Sequence, residues 1–168
     1  MNPDHGPAPA PLDAAFLIRH PAAVLALTGG VGLIPFAPGT WGAVAGIPLG
    51  LWLATIPTAA ALVMLAAGFG LGVWACGATA REAGVHDHQS IVFDETWAMA
   101  AVVAFAPAGM AAVLAGFLAF RLFDIAKPWP IGLIDRNVGH GIGIMLDDAV
   151  AAVFALVTLA ALAALGWI

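Results

Sequence analysis

The chain has 168 residues, of which 62% are hydrophobic and 9% charged, against roughly 25% charged in soluble domains, so this inventory cannot cover a water-facing surface. Five Lys plus Arg stand against ten Asp plus Glu, a formal charge of −5, which removes the basic footprint that DNA or RNA binding requires and makes nucleic acid an unexpected partner. The single cysteine, Cys76, stands in an apolar run beside Trp74; it can form no intrachain disulfide and reads as a small hydrophobe.

Residues 1–15 are rich in Pro and Ala, carry acids and have no basic n-region. They read as a flexible tail rather than a cleaved secretory signal, and residues 16–168 as a single membrane-embedded domain. A helix rises about 1.5 Å per residue and must cross roughly 30 Å of hydrocarbon, so about 20 apolar residues make one span. Residues 43–56 form a short apolar stretch holding Gly46, Pro48 and Gly50, closed by the turn signal Pro57-Thr58. Residues 58–80 make a full-length span. Its Gly68, Gly70, Gly72 and Gly77 suit close approach between membrane helices and predict a helix packed inside the bundle.

The apolar segment 91–123 is too long for one simple span and is interrupted by Pro107-Ala108-Gly109, which predicts two helices and a tight turn. Residues 148–168 predict a last span with Trp167 at the far interface. The expected fold class is therefore all-α, a polytopic transmembrane helical bundle of about five membrane helices or half-helices. Two hairpins would place 19–42, 81–95 and 121–147 on one side. All five basic residues, Arg19, Arg81, Arg121, Lys127 and Arg136, fall in those segments, and the positive-inside rule makes that side cytoplasmic.

Beyond Asp4 and Asp13 of the tail, the acids gather as Asp87, Asp94-Glu95, Asp124 with Asp135, and Asp147-Asp148. Any one of them could be a solvated or capping residue. Collected on one face beside apolar helices they would repel one another strongly, and a hard divalent cation held by oxygen ligands relieves that repulsion. A carboxylate set without a cysteine pair argues against structural zinc and for Mg²⁺ or Mn²⁺, with Mg²⁺ the natural candidate. His86-Asp87-His88 could supply metal ligands or acid/base groups, or be a solvated polar loop.

In the stretch 120–131, Arg121, Asp124 and Lys127 are spaced at three and share one helix face; Pro128 and Pro130 then end the helix and project the lysine into a loop. The alternative is a solvated helix end with snorkelling cations. Trp129 between the prolines suits the headgroup level. Two glycine-containing loops, 36–42 and 137–143, each precede an apolar helix. Backbone N–H groups at such junctions can cradle phosphate oxygens, although either loop alone could be an ordinary turn and neither matches a P-loop.

Taken together and in order, Pro38-Gly39-Thr40-Trp41-Gly42, Gly84-Val85-His86-Asp87-His88, Ile91-Val92-Phe93-Asp94-Glu95, Phe120-Arg121-Leu122-Phe123-Asp124, Lys127-Pro128-Trp129-Pro130-Ile131, Asp135-Arg136-Asn137 and Gly143-Ile144-Met145-Leu146-Asp147-Asp148 resemble the phosphatidylglycerophosphatase A family. The resemblance covers most of the chain from about Gly32 onward. It implies a Mg²⁺-dependent hydrolase of bacterial phospholipid synthesis, multi-pass in the inner membrane with its site on the cytoplasmic side. The implied reaction converts phosphatidylglycerophosphate to phosphatidylglycerol and inorganic phosphate. The chain departs from the expected pattern at Thr96, Gly139-His140-Gly141 and Ala152, positions that concern loop shape and packing.

With that reaction in view, Asp94, Glu95, Asp124, Asp147 and Asp148 are the expected Mg²⁺ ligands, directly or through water. Lys127, Arg136 and Arg121 are expected to hold the phosphate, with Thr40, Gly39 and neighbouring N–H groups closing the site. Metal-activated water is favoured over an aspartyl nucleophile, with His86, His88 or Asp87 supplying or relaying a proton. Two rival readings are a lipid headgroup phosphotransferase and a cation transporter or scaffold. Against the second, the acids sit at helix ends and not at midplane. The small-residue faces would serve either internal packing or homo-oligomer formation.

Overall fold

The structure, a computed structural model, describes residues 11–84 and 88–168. Every regular element among them is helical: α1 (Ala14–Arg19), α2 (Pro21–Ala26), a 3-10 segment (Thr28–Leu33), α3 (Pro38–Leu53), α4 (Thr58–Ala83), α5 (Phe93–Phe105), α6 (Met110–Ala126), α7 (Ile131–Asn137) and α8 (His140–Ala164). Local chemistry sets these boundaries. The Asp13 side chain caps α1 by accepting from the Phe16 N–H at 2.8 Å, and Pro21 and Pro38 open α2 and α3, where a missing N–H is no loss. Gly84 closes α4 in the left-handed conformation that a Cβ would strain. The turn expected at 107–109 separates α5 from α6, and a second turn after residue 53 separates α3 from α4.

Packing around α5 organises the molecule. Gly42, Gly46 and Gly50 form one stripe on α3, and a Cβ at Gly46 would come within 2.3 Å of the Thr96 carbonyl oxygen, so only bare backbone lets α3 lie this close to α5. The Trp97 indole N–H donates to the Leu65 carbonyl at 2.9 Å, tying α5 to α4. Phe123 of α6 meets Phe154 of α8 edge to face. Met99, Val102, Phe120, Ala155 and Leu159 fill the centre between α5, α6 and α8. A second apolar cluster joins Phe16, Ala23 and Leu27 of the N-terminal segment to Ala75 and Ala80 of α4 and Met145 of α8.

Three details differ from the sequence reading. The glycine-containing segments 36–42 and 137–143 are largely helix, not loop: α3 begins at Pro38 and α8 at His140, ahead of the apolar stretches at 43 and 148. Apolarity locates the part of a helix that prefers hydrocarbon, whereas hydrogen bonding begins wherever the backbone permits, and small residues permit it early. Asp147 and Asp148 consequently lie inside α8 and are buried, rather than sitting at its start.

Nor is α4 enclosed by the bundle. Leu62, Val63, Leu71 and Trp74 are exposed, and Gly70 faces open space, while Gly72 and Gly77 approach α8. Its small residues serve one face only. Two helices, α4 and α8, are long and apolar enough to cross a membrane. The 16, 13 and 17 residues of α3, α5 and α6 reach only about 20–26 Å at the α-helical rise.

Candidate active site

The beginning of α5, the first half of α8 and the end of α6 converge on one cavity of about 160 Å³. Asp94 and Glu95 occupy the first turn of α5, where the helix dipole favours acids. The buried Thr96 side chain fixes that turn, its hydroxyl lying 2.9 Å from the Gly42 carbonyl, 2.8 Å from the Val92 carbonyl and 3.0 Å from the Thr28 hydroxyl. Thr96, read from sequence as a departure in packing, is thus a pin between α5, α3 and the 3-10 segment.

One wall of the cavity is a carboxylate cluster. Asp94, Glu95 and Asp148 each offer an oxygen, all within 4.8 Å of one another. Asp94 Oδ1, Glu95 Oε2 and Asp148 Oδ2 are buried and have no hydrogen-bond partner among the described residues. Buried carboxylate oxygens without partners are expensive, and three of them facing one another are more so. Hard oxygen donors at this spacing fit a small divalent cation such as Mg²⁺ or Mn²⁺.

Another wall carries an ammonium of its own. The Lys127 ammonium donates to Asp147 Oδ2 at 2.8 Å and pairs also with Asp135. Burial disfavours the charged lysine, but these two hydrogen-bonded carboxylates outweigh it and hold the ammonium above the usual lysine range. Lys127 ends α6 with φ 41°, ψ 55°. A non-glycine residue in the left-handed region costs roughly 1–2 kcal/mol, and here that conformation stops the helix and leaves the side chain at the cavity.

The expected site residues divide into three groups. Asp94, Glu95, Asp124, Lys127, Asp147, Asp148 and His88 line the cavity together. Arg121 stands outside the lining, pairing with Asp124 and lying 3.7 Å from Glu95; Gly39 packs against the same Glu95 carboxylate. Thr40 and Arg136 are also absent from the lining, and the Arg136 Nε–H donates to the Gly132 carbonyl at 2.8 Å. His86 and Asp87 lie outside the described residues. Asp135, grouped with Asp124 in the sequence but given no task, joins the lining, as do Gln89, Val138, Gly143 and Ile144. The Asp135-Arg136-Asn137 fragment was the available signal for Asp135, the glycine-containing segment 137–143 that for Val138 and Gly143, and the fragment opening at Gly143 that for Ile144; nothing in the pattern marked Gln89.

The family model described as phosphatidylglycerophosphatase A matches residues 24–163. A phosphatidylglycerophosphatase A of Haemophilus influenzae is 42% identical over 147 residues, covering 86% of this chain and 90% of its own length. The phosphatidylglycerophosphatase A of Escherichia coli K12 is 42% identical over 137 residues, covering 81% of this chain and 80% of its own. No solved structure matches the chain. A family match spanning the cavity-lining residues and most of the helices makes the chain a member of the phosphatidylglycerophosphatase A family.

Proposed function

We propose that this chain is a Mg²⁺-dependent membrane phosphatase that hydrolyses phosphatidylglycerophosphate to phosphatidylglycerol and inorganic phosphate in bacterial phospholipid synthesis. Membership of the family makes it a phosphoric monoester hydrolase. The observation that carries the rest is that one cavity is lined both by three buried carboxylates with unpartnered oxygens and by the Lys127 ammonium.

A phosphomonoester dianion repels an attacking water, so its oxygens must be neutralised and the attacker oriented. Asp94, Glu95 and Asp148 would hold Mg²⁺, with Asp124 and Asp147 reached through water. When bound, the ion would neutralise phosphate oxygens and make a water more nucleophilic. Lys127 holds the phosphate from the other wall, giving up part of its contact with Asp135 or Asp147 to do so. The Ser90 N–H donates to His88 Nδ1 at 3.2 Å, which places the proton of a neutral ring on Nε2. His88 Nε2–H can then donate a hydrogen bond to the departing glycerol oxygen as the water oxygen bonds to phosphorus and the ester P–O bond breaks, the leaving oxygen taking its proton from the attacking water.

In the membrane, α4 and α8 would cross fully. The shorter α3, α5 and α6 would span with local thinning or as half-helices in a multi-pass bundle. The site end, which carries Arg121, Lys127 and Arg136, would face the cytoplasm. The test is phosphate release by purified protein in detergent from phosphatidylglycerophosphate and from phosphatidic acid, with no nucleotide present. We expect release from the first, its loss on chelation and its return with Mg²⁺. Turnover that survives exhaustive chelation would remove the metal from the reaction.

A further inference from the structure

We infer that Arg121 is a positioning residue that, together with Gly39, clasps one oxygen of Glu95 so that the other is presented to the cation; it is not a ligand of the substrate phosphate. This rests on the function proposed above. Arg121 Nη1 lies 3.7 Å from Glu95 Oε1, and its other ion pair is with Asp124 Oδ2. From the α3 side, Gly39 closes on the same oxygen: a Cβ there would sit 2.0 Å from Glu95 Oε1 and 3.4 Å from Arg121 Nη2. The first turn of α3 and the guanidinium therefore bracket Oε1, while Oε2 remains buried without a partner among the described residues.

The same guanidinium reaches Asp124, so two cavity carboxylates are oriented by one cation set behind them. With its side chain 15% exposed and outside the cavity lining, Arg121 is poorly placed to reach a phosphate. Carboxylates that ligate metals depend on supporting groups behind them for their orientation, here an ion pair to Glu95 and a hydrogen-bonded ion pair to Asp124. The requirement for glycine at residue 39 follows from the same contact. Any side chain there would push Glu95 away from α3 and out of line with Asp94 and Asp148.

The test measures Mn²⁺ binding directly, by the EPR signal of free Mn²⁺, on the full-length detergent-solubilised protein, beside the KM for phosphatidylglycerophosphate at saturating metal. Arg121→Gln and Gly39→Ala should each weaken Mn²⁺ binding about 10-fold or more. Their lipid KM should stay within about 2-fold of wild type, and Arg121→Lys should recover part of the binding. Circular dichroism and size-exclusion elution establish that the variants are folded; if Arg121→Gln is not, Gly39→Ala and Arg121→Lys decide. Unchanged Mn²⁺ binding with a raised lipid KM in the Arg121 variants would overturn the inference and return Arg121 to the phosphate. A wild-type protein that binds no Mn²⁺ would instead overturn the metal reading, and this inference with it.

Discussion

Two walls of the cavity are both rich in carboxylates but differ in their basic partners. On one, Asp94, Glu95 and Asp148 converge with unpartnered buried oxygens; on the other, Asp135 and Asp147 close around Lys127. The difference teaches where a cation is needed. Carboxylates sharing an internal ammonium are partly compensated as they stand, whereas the first set is stable only with an external positive charge or with protons. Arg121 meets part of that need from behind, through Glu95 and Asp124, and leaves Asp148 and Asp94 without a basic partner among the described residues.

Substitution on the unpaired wall should have the largest effect. Asp94→Asn and Asp148→Asn should each lower kcat roughly 10³-fold in detergent with excess Mg²⁺ while leaving the protein folded and membrane-inserted. Wild-type turnover in both would remove these carboxylates from the reaction. On the paired wall, Lys127→Met removes the ammonium and leaves Asp147 uncompensated. Phosphate release at saturating metal should fall about 10²-fold, with a higher lipid KM. Asp135→Asn should be milder, about 10-fold or less, because its side chain is 37% exposed and Asp147 still holds the lysine. An equal loss from Asp135→Asn and Asp148→Asn would mean that the two walls do not differ in the way their hydrogen bonding indicates.

The smallest change should come from the scaffold that both walls share. Thr96→Val removes the buried hydroxyl between Gly42, Val92 and Thr28 and should lower stability by about 1–2 kcal/mol, read as a reduced Tm in detergent. Activity at low temperature should change little, since Asp94 and Glu95 remain in the first turn of α5. A large loss of Mn²⁺ affinity in Thr96→Val would show that the pin sets the metal site as well as the helix packing.

Much of this site was legible in the residue order. A chain so poor in charge has little reason to place acids at 94, 95, 124, 147 and 148 unless they act together, and all five line one cavity. The turn at 107–109 was equally readable, because Pro107 and Gly109 interrupt an apolar run of more than one span. Arg121, Arg136 and Thr40 were not separable from true cavity residues by type or spacing. Whether a basic side chain faces a cavity or the back of its wall depends on the rotation of one helix against another. The exposed face of α4 was hidden for a related reason: glycines report that a close contact exists, not how much of the helix circumference it covers.

Residue order alone was enough to show that the chain is helical and apolar, that Asp94, Glu95 and Asp124 fall near helix ends, and which family it belongs to. Composition, periodicity and motif order are properties of the chain and need no partner. Only the tertiary structure decided which carboxylates are left unpaired, that Lys127 stands between Asp135 and Asp147, and that Gly39 and Arg121 meet on one oxygen of Glu95. Those outcomes depend on distances of a few ångströms between segments far apart in sequence, and packing alone sets such distances.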